Sequence, residues 1–86
     1  MLDELRKIYT PKLLTELSPE QIGELQESLF SLGYEVTTNG ILGTQTANAF
    51  AEWKRSRGLK DFDSIGLNSL AALECDLEKL QEYIEV

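Results

Sequence analysis

The stretch Asn39-Gly40-Ile41-Leu42-Gly43-Thr44 constrains this chain more than any other. Two glycines three apart take positive φ without a steric penalty, and Asn39 also tolerates the left-handed region, so the backbone turns tightly here. Gly43 or Thr44 then caps a helix whose first turn carries Thr46. Loop tips are normally polar, and Ile41-Leu42 is not. At least one of the two is expected to plug back into the core, making the loop a pin between two amphipathic helices.

The helix before the loop has the clearest start in the sequence. Ser18 is the cap, Pro19 suits the first helical position, and Gln21 completes a capping box. Glu20 places negative charge where the helix dipole favours it. Ile22, Leu25, Leu29 and Leu32 form one apolar stripe, widened by Phe30, and Gly33 is a good stop, so a helix is predicted over 19–32. The Val36-Thr37-Thr38 segment that follows reads as extended. A second helix is predicted over 44–57, burying Thr46, Ala49, Phe50 and Trp53. Gly58 stops it as Gly33 stopped the first, and Leu59 should fold back onto it. A second loop, Lys60 to Gly66, leads into a long third helix from Leu67, where Leu70, Leu73, Leu77, Leu80 and Ile84 repeat at heptad-like spacing.

Ahead of these, Leu2, Leu5, Ile8 and Tyr9 fall at helical spacing, so residues 2–9 read as a short amphipathic helix. Thr10-Pro11 ends it, and Leu13, Leu14 and Leu17 form the apolar side of a further turn. This N-terminal segment reads as a helical strap. Either it or another chain covers Leu77, Leu80, Tyr83 and Ile84; the strap is favoured, because it gives both ends of the chain one shared purpose. The division is 1–17 strap, 18–73 main domain and 74–86 helix extension.

An internal echo runs through the middle. Gly43-Thr44-Gln45-Thr46-Ala47-Asn48-Ala49-Phe50 and Gly66-Leu67-Asn68-Ser69-Leu70-Ala71-Ala72-Leu73 share the pattern G-x-x-(T/S)-x-x-A-(F/L). The Thr46 and Ser69 hydroxyls are expected to bond free backbone groups at their own helix starts. The two alanines allow close helix contact. The fold expected is all-α, a three-helix core built from two loop–helix repeats plus a leading helix, with the strap and an extended last helix.

Length and charge narrow the function. Eighty-six residues support one small core. Eight Lys and Arg against fifteen Asp and Glu, net −7, argue against a nucleic acid or an anionic membrane surface as partner. The basic run from Lys54 to Lys60 reads instead as complement to a helix dipole and to the acidic tail of Glu74, Asp76, Glu78, Glu82 and Glu85. Apolar runs are too short to span a membrane. Residues 1–9 do not read as a signal peptide, so work outside a cell needs another export route or a longer parent chain. Cys75 is alone, so no internal disulfide forms. With no histidine there is no imidazole base, and the carboxylates fall mostly on polar helix faces, so the chain reads as a non-enzyme needing no cofactor and no metal.

Leu25-Gln26, Leu32-Gly33-Tyr34, Gly40-Ile41-Leu42-Gly43 with Thr46, Ala49-Phe50 and Gly58-Leu59 follow one another in a recognisable order. From Ile22 to Leu73 the chain resembles the peptidoglycan-binding domain of the small three-helix kind, found attached to bacterial and phage cell-wall hydrolases. Asn39 stands where that family usually has aspartate, and Trp53-Lys54 replaces its phenylalanine-glutamine. The second copy of the loop, Asp63-Ser64-Ile65-Gly66, is one residue short and lacks its first glycine.

The resemblance implies a non-catalytic module that binds peptidoglycan or its stem peptide. It would target a fused or partner hydrolase, or a phage or secretion device, to the wall, in a cell-wall, extracellular or periplasmic location. The residues read as ligand-binding are Tyr34, whose ring either stacks on a sugar or finishes the core, and the polar fringe Thr38, Asn39, Thr44, Gln45 and Asn48. Trp53 reads as core. The alternative is an interaction or assembly domain that kept the fold without the ligand, favoured by the departures above and by the net charge. A monomer is expected over an oligomer.

Overall fold

Ser18 caps the first helix as the sequence dictates. Its hydroxyl accepts from the Gln21 N–H at 3.2 Å, and the Gln21 side chain accepts from the Ser18 N–H at 2.9 Å. The helix, α1, spans Pro19–Ser31. In this computed structural model the backbone is described over residues 2–85 and side chains over 2–80. Helix α2 is Thr44–Ser56 and α3 is Leu67–Glu85.

Both predicted glycine stops hold, by one mechanism. Gly33 and Gly58 take φ of 97° and 71°. Around each, two backbone bonds close the helix end: Tyr34 N–H to Leu29 with Gly33 N–H to Phe30, and Leu59 N–H to Lys54 with Gly58 N–H to Arg55. Tyr34 and Leu59 then fold back against the core, as such caps require.

The core joins Leu25 and Leu29 of α1, Ala49, Phe50 and Trp53 of α2, and Leu70, Leu73 and Leu77 of α3. The N-terminal strap completes it, with Leu2, Leu5, Ile8 and Leu14 all buried. Leu80 is half-buried, while Tyr83 and Ile84 lie outside the described side chains. The strap is not the helix that its spacing suggests. It forms two 3-10 turns, Leu5–Lys7 and Leu14–Glu16. Glu24 on α1 holds the first, accepting from the Glu4 and Leu5 N–H groups at 2.9 Å each, and Gln21 donates to the Glu4 carbonyl. Arg6 reaches Glu74 on α3 at 2.8 Å. A few residues tied down by side chains need not pay for helix nucleation, which is why apolar spacing alone misleads here.

The all-α expectation needs a second correction. Between the two 3-10 turns, β1 (Lys12–Leu13) pairs antiparallel with β2 (Ser64–Ile65), Lys12 opposite Ile65. Pro11 and Gly66 lie beside this pair, with Pro11 3.4 Å from where a Cβ on Gly66 would stand. The protein is thus mostly helical, with one two-stranded ribbon stitching strap to second loop. Phe30, expected to widen the α1 stripe, is 64% exposed, because it lies off the arc that α2 and α3 cover.

Candidate functional site

Gln26 has no exposed surface at all, although it is a polar residue within the apolar stripe of α1. Its side chain organises the first loop. Nε2 donates to the Ile41 carbonyl and the Thr46 hydroxyl, both at 2.9 Å, and lies 3.2 Å from Asn39 Oδ1. Oε1 accepts from the Gly40 N–H at 2.9 Å. Asn39 Oδ1 also accepts from the Ile41 N–H, closing a turn within the loop. Leu42 packs against the core while Ile41 faces solvent, so one of the two apolar residues does plug inward. Thr46 does not bond its own helix start as expected; it serves Gln26.

The second loop has a similar device with a different side chain. Lys54 on α2 is buried, and its ammonium donates to the carbonyls of Lys60 (3.1 Å), Asp61 (2.8 Å) and Ser64. It also lies 5.2 Å from the centre of the Phe50 ring. Asp61 takes a φ of 57°, a conformation that Asp adopts more readily than most residues. Burial pushes the Lys54 pKa below the ordinary lysine value of 10.5, against the opposing pull of Asp61 and Asp63. The folded state therefore binds this proton less tightly than the unfolded chain, and the group's contribution to stability grows as pH rises from the lowered value towards 10.5. Urea unfolding of wild type and Lys54→Met between pH 7 and 11 should show the gap moving in favour of wild type over that window. A gap that is flat or shrinks would refute it.

Both arginines of the basic run are engaged as well. Arg57 pairs with Asp76 on α3, its Nε 2.9 Å from Oδ2, and the Trp53 indole N–H donates to the same oxygen at 2.8 Å. Arg55 stacks over Phe62. A polar residue inside an apolar stripe, as at Gln26 and Lys54, was the signal available in the sequence for these loop clamps.

Three of the residues read as ligand-binding come together. Tyr34, Gln45 and Asn48 line one open hollow of 400 Å³, with Glu35 and Glu52 at its edge. Helix α2 supplies Gln45, Asn48 and Glu52 from successive turns, and the glycine cap at Gly33 swings Tyr34 and Glu35 alongside. Tyr34 is half-buried, so its ring serves the core and the hollow wall together. Gln45 stiffens the rim, accepting from the Thr37 N–H at 2.9 Å. Thr38, Asn39 and Thr44 do not line this hollow. Asn39 is taken up by the loop itself.

The hollow offers an aromatic edge, two amides and two carboxylates on a rigid frame. That chemistry suits a neutral or cationic ligand rich in hydroxyl and amide groups. Among the described residues, no group of three metal-ligating side chains gathers, and no helix is long and apolar enough to cross a membrane. No family model, curated protein or solved structure matches the chain.

Proposed function

We propose that this protein is a non-catalytic module that binds peptidoglycan through the hollow between Tyr34 and the first turns of α2. The observation carrying this reading is the joining of Tyr34, Gln45 and Asn48 on one rigid surface. The ring and amides suit sugar hydroxyls and peptide amides, and Glu35 and Glu52 suit the free amine of a stem peptide. The order of glycine and apolar motifs, shared with wall-binding domains, supports the same assignment. An open hollow without a buried charge gives modest affinity, as befits a domain that holds an attached hydrolase or phage or secretion device near the wall.

Cosedimentation with insoluble peptidoglycan tests this. Wild type should pellet with the wall at tens of micromolar, and Asn48→Ala and Glu52→Gln should each weaken retention about threefold to tenfold. Both positions are exposed, so neither change should disturb the fold. A wild-type protein that stays in the supernatant would sink the proposal. The alternative, an assembly domain without a wall ligand, draws on the exposed apolar side chains Tyr9, Leu13 and Leu67. It would be favoured by a mass in light scattering that rises with concentration.

A further inference from the structure

A cleft also lies at the other loop. It holds 510 Å³ between the second loop and the first turn of α3, with Tyr9 and Pro11 of the strap on its far side. Comparing the two loop–helix units reveals an imbalance there. In the first, the Thr46 hydroxyl is satisfied by Gln26. In the second, Ser69 holds the matching position and is 5% exposed, yet its hydroxyl has no hydrogen-bond partner among the described residues. The reason is the exchange of glutamine for lysine in the clamp: the three N–H donors of Lys54 all go to loop carbonyls.

Ser69 lines the cleft, and it does so beside other uncommitted donors. The helical bonding of α3 begins with Leu70 N–H to Gly66, so the N–H groups of Leu67, Asn68 and Ser69 have no acceptor within the helix. Gly66 has no side chain to cap them. Lys60 adds a positive charge at the rim and Lys54 one at the floor, opposed by Asp61. Leu59, Leu67 and the Tyr9 ring supply apolar wall.

We propose that this cleft is a second binding site, taking the α-carboxylate end of a peptide, with the carboxylate on the Ser69 hydroxyl and the first-turn N–H groups of α3. Helix N-termini and backbone nests capture chain-end carboxylates in this way, and the apolar walls accommodate the last side chains. The size of the cleft fits a short peptide end. The site is independent of the wall-binding hollow and is tested with soluble peptides, so either assignment can fail without the other.

The test is an amide NMR titration of the whole chain with N-acetyl-alanyl-leucine, its C-terminal amide, and acetate. The free-carboxylate peptide should shift the amides of residues 67–70 saturably in the millimolar range. The amidated peptide should not, and acetate should bind more weakly. Ser69→Ala should weaken the peptide about tenfold while leaving the urea midpoint unchanged or higher, since it removes a hydroxyl that faces the cleft and bonds no other described residue. Asp61→Asn, which keeps the positive φ accessible, should tighten binding by removing a like charge. No saturable shift at the start of α3 would overturn the proposal. So would an equal response to the amide, acetate as tight as the peptide, or a lower urea midpoint for Ser69→Ala.

Discussion

Replacing Gln26 with Leu is expected to lower the unfolding free energy by about 2–4 kcal/mol, even though it puts an apolar side chain of similar size into a buried apolar setting. The gain from transferring Leu into the core is outweighed by what it abandons. The Gly40 N–H, the Ile41 carbonyl and the Thr46 hydroxyl all lose their partner at once. Thr46 is buried, so water cannot simply replace the amide there. For a domain of this size such a loss is a large part of the whole stability. Urea unfolding followed by Trp53 fluorescence measures it directly. A loss below about 0.5 kcal/mol, the usual range for substitutions away from special features, would mean that the loop does not depend on this clamp.

Gly40→Ala should cost about 2–3 kcal/mol, for two reasons that add. Gly40 sits at φ 73°, where a Cβ clashes with the chain's own carbonyl. That Cβ would also stand 3.2 Å from the Pro19 carbonyl oxygen, at the start of α1, where backbone rather than a flexible side chain would have to give. Gly33 and Gly58 share the positive φ but have open space around them, so Gly40 is the most restricted of the three. Because the Gly40 N–H bonds Gln26, the two substitutions share one network. Made together, they should cost less than the sum of the single losses, by about 1 kcal/mol. Strict additivity in urea unfolding would show that Gly40 and Gln26 act separately.

The elements most legible in the sequence were those whose causes are local. Ser18 to Gln21 specifies a helix start through bonds among neighbouring residues, and Gly33 and Gly58 specify helix ends through backbone geometry of their own. Those helices appear within a residue or so of their expected limits. The strap failed for a complementary reason. Leu2, Leu5 and Ile8 are buried as their apolar character requires, but Glu24, distant in sequence, holds the chain between them in a single 3-10 turn, Leu5–Lys7, where a helix was expected. The ribbon of Lys12–Leu13 with Ser64–Ile65 was illegible because its partners lie some fifty residues apart and each strand is two residues long.

The polar fringe divides in a similar way. By composition, Asn39 and Asn48 look alike, two exposed amides near one glycine loop. Only packing separates them, since the Asn39 oxygen is taken by the Gln26 amide and the Ile41 N–H, while Asn48 lies along the hollow beside Tyr34. The two clamps were likewise written in the sequence as polar residues on apolar stripes, but what they hold was not. By itself, then, the sequence determined three helices, the glycine ends of the first two and the inward turn of an apolar loop residue, because hydrophobic periodicity and backbone sterics act over a few residues. The tertiary structure alone decided that Gln26 and Lys54 grip successive loops, and that the second grip leaves Ser69 facing a cleft. Which donor meets which acceptor depends on distances between segments that the chain does not encode locally.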